Sequence, residues 1–415
     1  MGPLGFSPGL EGALSSPAVK QAEAALTWAT WYLDDGTLVG SLEAVAAYFA
    51  VLGPALEAIG LKINERKSLL WGPGVHMEGA APAAAFTSLP DAHPLRGVPT
   101  CPFGPSAGIT SLGVPVDAPG SHAMGLAKWE DAVGRTQELL DKLRMLPDGQ
   151  VRHCLLRFCL DACRVTHLMR STPRDAAGPH LGALGTALRV AVADLVGCGL
   201  SGLAWEQATL PISAGGLGVT DPEAAWPEAR LASLVGFHLK AQDTVGVPRE
   251  VAHTMAVDTK AVLEAISLTL GPNHDPLARW FEEPARILSA DTSFASQHWW
   301  ACECVKARKD SLASKGTVRD QVRLQSQTGP VATGWLQVLP NRQLGTVLLD
   351  QEFRSLCRWW LGIPLLPEGV TLPACPLCRE ALDPFGDHFV VCKSNGTTAR
   401  HNALRDEWCI FIMRR

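Results

Sequence analysis

The chain has 415 residues, of which 47% are apolar and 19% charged, and its net charge is -5. That length and apolar content suit two to four packed domains and exclude general disorder. An acidic chain carries no global nucleic-acid signature, so any basic surface has to be local.

The opening MGPLGFSPGLEGAL has neither a basic n-region nor a long apolar core, so it does not read as a secretory signal. The longest apolar stretch, Leu181 to Trp205, is interrupted by Arg189 and Asp194, which argues against a membrane span. The expectation is a soluble intracellular protein with no membrane partner. The twelve cysteines then read as buried thiols and a metal site rather than a disulfide framework.

Residues 5–26 show helical periodicity, limited by Pro8 and Pro17. In TWATWYLDDGTLVG, Trp28, Thr30 and Tyr32 alternate with Ala29, Trp31 and Leu33, a period-two pattern that predicts a strand. Asp34-Asp35-Gly36 is expected to turn the chain and Thr37–Val39 to return it. Ser41 suits the N-cap of a helix with the stripe Leu42, Val45, Phe49, Leu52, Leu56 and Ile59. Pro54 should kink or split that helix, and Gly60 should end it. Leu61-Lys62-Ile63 and Leu69-Leu70-Trp71 are short strand candidates around a polar turn. Residues 72–108, rich in Gly, Pro and Ala, read as loop, and Leu112–Val116 as one short edge strand.

From about 121 to 245 the pattern is helical, broken by Pro147, Pro173, Pro179 and the Gly215-Gly216 turn. Residues 246–350 are helical with weaker periodicity, and no repeat of 20–50 residues is visible. The fold class is therefore α+β and mainly helical.

Basic residues cluster in two places. Residues 142–174 carry Lys142, Arg144, Arg152, Arg157, Arg164, Arg170 and Arg174 against only Asp148 and Asp161. Lys306, Arg308, Lys309, Lys315, Arg319 and Arg323 form the second run. Arg157 and Arg164 are seven apart, so both are expected on one helix face. Guanidinium groups suit phosphate, although ordinary solvated helix faces explain such runs equally well.

The adjacent aspartates Asp34 and Asp35 have two readings. A solvated Asp-Gly turn needs nothing more. A metal cradle is the alternative, because two-metal nucleotidyl transfer needs carboxylates clustered on rigid strands, and close like charges repel unless a cation intervenes.

Near the C-terminus, Cys375, Cys378, His388 and Cys392 follow the spacing C-x2-C-x9-H-x3-C. Four such ligands suit tetrahedral zinc with no open position, hence a structural ion. Binding on the order of 10–16 kcal/mol would help to fold this small module. His401 is a reserve ligand, and Cys302 with Cys304 reads as an ordinary helical pair.

Tyr32-Leu33-Asp34-Asp35 after an aromatic strand resembles the catalytic hairpin of reverse transcriptases. Gly60-Leu61-Lys62-Ile63-Asn64-Glu65-Arg66-Lys67-Ser68 is similar to that family's next palm motif, whose lysine, here Lys67, lies near the incoming triphosphate. Leu112-Gly113-Val114-Pro115 looks like the segment that grips the primer end, and the basic helical region fits a thumb. With DPFGDH inside the CCHC knuckle, the chain most resembles non-LTR (LINE-type) retrotransposon proteins whose knuckle precedes a restriction-like endonuclease.

The resemblance implies a partial palm over 1–118, a helical thumb over 119–245, a helical connector over 246–350 and a zinc-knuckle region over 351–415. It implies catalytic Asp34, Asp35 and Lys67, with Mg2+ on the two aspartates. Substrate contacts would come from Tyr32, Gly113, Arg152, Arg157, Arg164 and Arg170. Zn2+ would sit on the knuckle, RNA template and DNA primer would be the partners, and the family's role would place the protein in the nucleus. The family also needs an aspartate on an upstream strand, whereas the only acids before Asp34 are Glu11 and Glu23. Its Gln-Gly pocket motif and its fingers are not found, and the sequence stops where an endonuclease would start. The expectation is a fragment truncated at both ends, inactive alone as an RNA-directed DNA polymerase; a non-catalytic nucleic-acid-binding remnant is the alternative.

Overall fold

The computed structural model describes residues 3–242, 249–271, 295–366, 370, 374–394, 396 and 402. The chain divides into two compact units, residues 1–132 with 167–180, and residues 133–166 with 181–415. This division cuts across the four consecutive segments read from the sequence, because 167–180 belongs with the N-terminal residues. The mainly helical class with little sheet is observed. A single palm sheet is not, since the described strands form three separate two-stranded ladders. No described helix is long and apolar enough to cross a membrane.

In the first unit, α1 (Pro3–Leu14) and α2 (Pro17–Glu23) divide at Ser15-Ser16, with Pro17 at the first position of α2. Helix α3 (Leu42–Glu57) starts where Ser41 Oγ accepts the Ala44 N–H at 3.2 Å. It ends at Gly60, whose φ of +78° lets the Leu61 N–H reach back to the Leu56 carbonyl at 2.9 Å. Pro54 does not split the helix, which runs on through it to Glu57. Buried Leu52 and Leu56 on either side hold the helix against Leu10, Ala13 and Val19, which outweighs one lost hydrogen bond. The other side of α3 places Ala46 with Leu70, Val75, Phe86, Leu95 and Val98.

Strands β1 (Trp28–Tyr32) and β2 (Asp35–Val39) form an antiparallel hairpin in which Tyr32 faces Asp35. The turn is Leu33-Asp34, with Leu33 at φ +55°, so Asp35 and Gly36 already belong to the return strand. Trp31 and Leu38 pack on the α1–α3 core, and this burial sets the register. Leu61–Ile63 is not a strand; β3 is only Leu70–Trp71, parallel to β4 (Thr100–Cys101). The expected loop over 72–108 thus holds β4, the short helix α4 (Ala84–Thr87) and the 3-10 turn Pro94–Gly97. The segment around 112 is a hairpin, not one strand. β5 (Gly108–Ser111) pairs with β6 (Val114–Asp117) through Leu112-Gly113, whose φ values of +49° and +82° suit a tight primed turn.

Helices α5 (Ala123–Arg144), α7 (Thr166–Ser171) and α8 (Arg174–Val196) contribute residues to both units. Breaks fall at Pro147 and Pro173 as expected, but Pro179 lies within α8. The second unit adds α6 (Gly149–Leu155), α9 (Gly202–Ala208), α10 (Pro222–Gln242), α11 (Arg249–Leu270) and α12 (Gln297–Lys315). It continues with α13 (Val318–Ser326), α14 (Pro330–Gln337), α15 (Asp350–Trp360) and the single turn α16 (Asp387–Val391). Gly216 is obligatory in the turn after α9, since a Cβ there would lie 1.9 Å from the Leu210 carbonyl oxygen.

Where α10 packs on α12, Glu228 is buried beside Cys304 and Arg308. Burial pushes the Glu228 carboxyl up to about 7, against the Cys304 hydrogen bond and the Arg308 charge. A raised carboxyl pKa favours the folded state fully at pH below about 4.5 and loses that contribution as pH rises through about 7. Glu228→Gln should therefore be nearly neutral at pH 4 and stabilising by on the order of 2–3 kcal/mol at pH 8. Urea unfolding of both proteins across this range checks it; a gain independent of pH would contradict the assignment.

Candidate functional site

The C-x2-C arm is a tight turn. The Cys375 N–H donates to the Glu380 carbonyl at 2.7 Å and the Arg379 N–H returns to the Cys375 carbonyl at 2.9 Å, with Arg379 at φ +67°. Gly386, at φ +83°, then starts α16, which carries His388, and the Cys392 N–H donates to the His388 carbonyl at 2.8 Å. That helical spacing turns His388 and Cys392 toward the same side.

The four side chains converge. Cys375 Sγ lies 3.8 Å from Cys392 Sγ, Cys378 Sγ lies 3.2 Å from His388 Nε2, and all four ligand atoms lie within 4.8 Å of one another. Zn–S bonds of about 2.3 Å at tetrahedral angles give an S···S separation of about 3.8 Å. The donor set therefore fits zinc. Cys375 and Cys392 are buried, Cys378 and His388 half-buried, and the four side chains would fill a tetrahedral ion's coordination, as in a structural site.

Electrostatics favour the thiolates unequally. Backbone N–H groups, that of Cys378 foremost, bring the Cys375 thiol down to about 6. At Cys378 the Glu380 N–H favours the thiolate, but burial and the neighbouring cysteines outweigh it and raise the pKa. A divalent cation would relieve that mutual repulsion. His388 Nδ1 lies 4.0 Å from the exposed Glu380 carboxylate, while Nε2 faces the Cys378 sulfur.

Asp383 braces the second arm. Its carboxylate accepts the N–H groups of Phe385 at 2.9 Å, Asp387 at 3.1 Å and His388 at 2.6 Å. Burial would raise the Asp383 carboxyl, but these donors hold it below its ordinary value. His401 lies outside the described residues. Cys302 is exposed, 3.6 Å from His298, whereas Cys304 is buried against Glu228, so these two do not form a ligand pair.

The aspartate hairpin differs in kind. Tyr32, Asp34 and Asp35 are all exposed. Among the described residues, Cys375, Cys378, His388 and Cys392 form the only group of three or more metal-ligating side chains, so no third ligand joins Asp34 and Asp35. Lys67 is exposed in the polar turn, where its N–H donates to Asn64 Oδ1 at 3.3 Å. Gly113 sits at the tip of the β5–β6 hairpin. That hairpin meets the other: Thr37 Oγ1 of β2 lies 3.5 Å from Ser111 Oγ of β5.

The basic run does not form the single face expected of it. Arg152 is buried, ion-paired to Asp194 at 2.7 Å and 3.7 Å from Asp350, and so is withdrawn from any phosphate surface. The helix does not run from Arg157 to Arg164. After α6 comes a π-helical segment, Leu156–Leu160, then a 3-10 turn, Ala162–Arg164. Asp161 enforces the break by accepting the N–H of Cys163 at 2.9 Å and that of Thr220 at 3.1 Å. Arg164 and Arg170 are exposed. The Arg157 guanidinium lies 4.5 Å from the centre of the exposed Phe158 ring, beside an open cavity of about 350 Å3. Phe158 was not legible as a surface residue, because its π-helical setting is a tertiary outcome.

No protein-family model, curated protein or solved structure matches the chain.

One zinc per chain should survive gel filtration of the purified protein, measured by plasma emission spectroscopy. Cys378→Ser should lose most of it; full retention would show that the ligands are other residues.

Proposed function

We propose that the chain is part of a retroelement reverse transcriptase, carrying two of the metal-binding carboxylates of an RNA-directed DNA polymerase and a zinc knuckle. The observation that supports this reading best is the approach of Thr37 to Ser111. It sets the Asp34-Asp35 hairpin beside the Gly113 hairpin, although the two contact residues are 74 positions apart. A catalytic carboxylate pair and a loop gripping a primer end would need to be such neighbours. On this reading Asp34 and Asp35 hold Mg2+ and Lys67 attends the triphosphate. The metal clamp needs a further carboxylate, and the described residues do not bring one to the pair.

Two outcomes test it. Residues 1–415 should not extend a DNA primer on an RNA template with magnesium or manganese. Residues 27–40, grafted in place of the catalytic hairpin of an active reverse transcriptase, should support extension that Asp34→Ala abolishes. Extension by the ungrafted chain would overturn the missing carboxylate, and an inert graft in a folded host would overturn the assignment of the hairpin.

A second reading, nucleic-acid binding without catalysis, is favoured by Arg157 and Phe158 beside their cavity, with a guanidinium for phosphate and an exposed ring for a base. Single-stranded RNA should bind with a log–log salt slope near -0.7 per neutralised phosphate. Removing Arg157 and Arg164 together should weaken all sequences alike and flatten that slope by about one unit or more. A double variant that binds like the parent at every salt concentration would end this reading.

A further inference from the structure

The segment between the second and third metal ligands is tied to the helices of its own unit at several points. Asp387, the residue before His388, accepts hydrogen bonds from Arg319 Nε, from Arg319 Nη2 at 2.8 Å and from Trp359 Nε1 at 3.0 Å. The same Arg319 guanidinium lies 3.8 Å from the centre of the Phe385 ring. The Leu365 N–H, just beyond α15, donates to the Pro384 carbonyl at 2.8 Å. At the start of this turn the Asp383 carboxylate accepts the His388 N–H at 2.6 Å.

We infer that Asp387 is a positioning residue that couples metal binding to the packing of α13 and α15. The turn Asp383–His388 is too short to hold its shape alone, since α16 is a single turn. Besides the Asp383 hydrogen bonds and the Leu365–Pro384 bond, two constraints bear on it: the metal on His388 and the clasp on Asp387, next to each other in the chain. Each orders the residue the other needs, so each lowers the entropy cost of the other. Arg319 lies in the first turn of α13, and one turn later Arg323 enters the buried core around the end of α15. Ordering at the metal is thus passed to a helix whose own anchor is buried. Linkage makes the effect reciprocal: whatever factor the clasp adds to zinc affinity, zinc adds to the clasp. This inference does not depend on the polymerase reading.

The test uses the full chain and zinc alone. Zinc affinity is measured by competition with a chromophoric chelator for the parent, Asp387→Asn, Trp359→Phe and the distant control Lys306→Ala. Asp387→Asn should weaken zinc by about tenfold to a hundredfold, as for other outer partners of metal ligands. Trp359→Phe keeps a ring and removes one donor, so its loss should be smaller; Lys306→Ala should match the parent. Hydrogen–deuterium exchange supplies the readout that a merely structural role would not move. Chelation should speed exchange in α13 and α15 of the parent. In zinc-saturated Asp387→Asn, exchange in α13 should already be fast and change little on chelation. Unaltered zinc affinity in Asp387→Asn, or exchange in α13 indifferent to chelation in the parent, would overturn the coupling.

Discussion

Arg323 is buried in the second unit, and a buried guanidinium has to be met by acceptors or it destabilises whatever surrounds it. Its Nη1 donates to Gln207 Oε1 at 2.8 Å and to the Trp360 carbonyl, and its Nη2 to Asp320 Oδ1 at 3.1 Å. Gln207 Nε2 and Gln327 Nε2 also donate to the Trp360 carbonyl, at 2.9 and 2.6 Å. That carbonyl ends α15, where a helix leaves acceptors unsatisfied and its dipole is negative. One cation and two amides therefore close α15 and draw α9 and α13 to the same point. Gly362 completes the arrangement: it has a φ of +69°, and a Cβ there would lie 2.7 Å from Arg323 Nη2. Removing Arg323 would take the donor from Gln207 Oε1, whereas the Trp360 carbonyl would keep Gln207 and Gln327, so the cation ties α13 into a point that the two amides already share.

The metal site hangs from the same helices. Trp359 reaches Asp387 while the carbonyl of the next residue, Trp360, receives Arg323, so α15 carries one contact toward the knuckle and one into the core. A four-ligand site of this size could not bury enough apolar surface to fold by itself, and the side chains clustered in it are few: Cys375, Cys378, Leu382 and Cys392. Its stability must come from the helices it touches and, where metal binds, from the ion. That explains why aspartates occupy both ends of the Pro384-Phe385-Gly386 turn, one bonding inward to the turn's own N–H groups and one outward to Arg319.

What the sequence made legible was local. Ser41 as a cap, Gly60 as a stop and the Cys/His spacing each depend on a few neighbouring residues, and each lies where the pattern put it. Errors came where distant contacts decide. Pro54 stays within α3 because burial on both sides of it outweighs a local preference. Leu33, an apolar residue at positive φ, takes the turn that Asp34-Asp35-Gly36 advertised, because burying Trp31 and Leu38 fixes the strand register first. Arg152 looked like one of a row of surface cations, but its partners Asp194 and Asp350 lie 42 and 198 positions away in sequence. The seven-residue spacing of Arg157 and Arg164 assumed a continuous helix, and Asp161 breaks it with hydrogen bonds that no periodicity reveals.

The two acid- or thiol-bearing sites also differ in what their burial demands. Thiolates crowded within 4.8 Å in a closed pocket cannot all be charged without a cation, so that geometry itself argues for an occupant. Asp34 and Asp35 stand in water at the end of a hairpin, where a high dielectric weakens their repulsion to about 1 kcal/mol or less even at close range. The pair can persist there with or without metal, and its presence alone decides nothing about catalysis. What gives it weight is its placement on a hairpin held by Trp31 and Leu38 and set beside a second hairpin at Ser111. On the proposed reading, a site that aligns a metal against a primer end would use both the packing of Trp31 and Leu38 and the neighbouring hairpin.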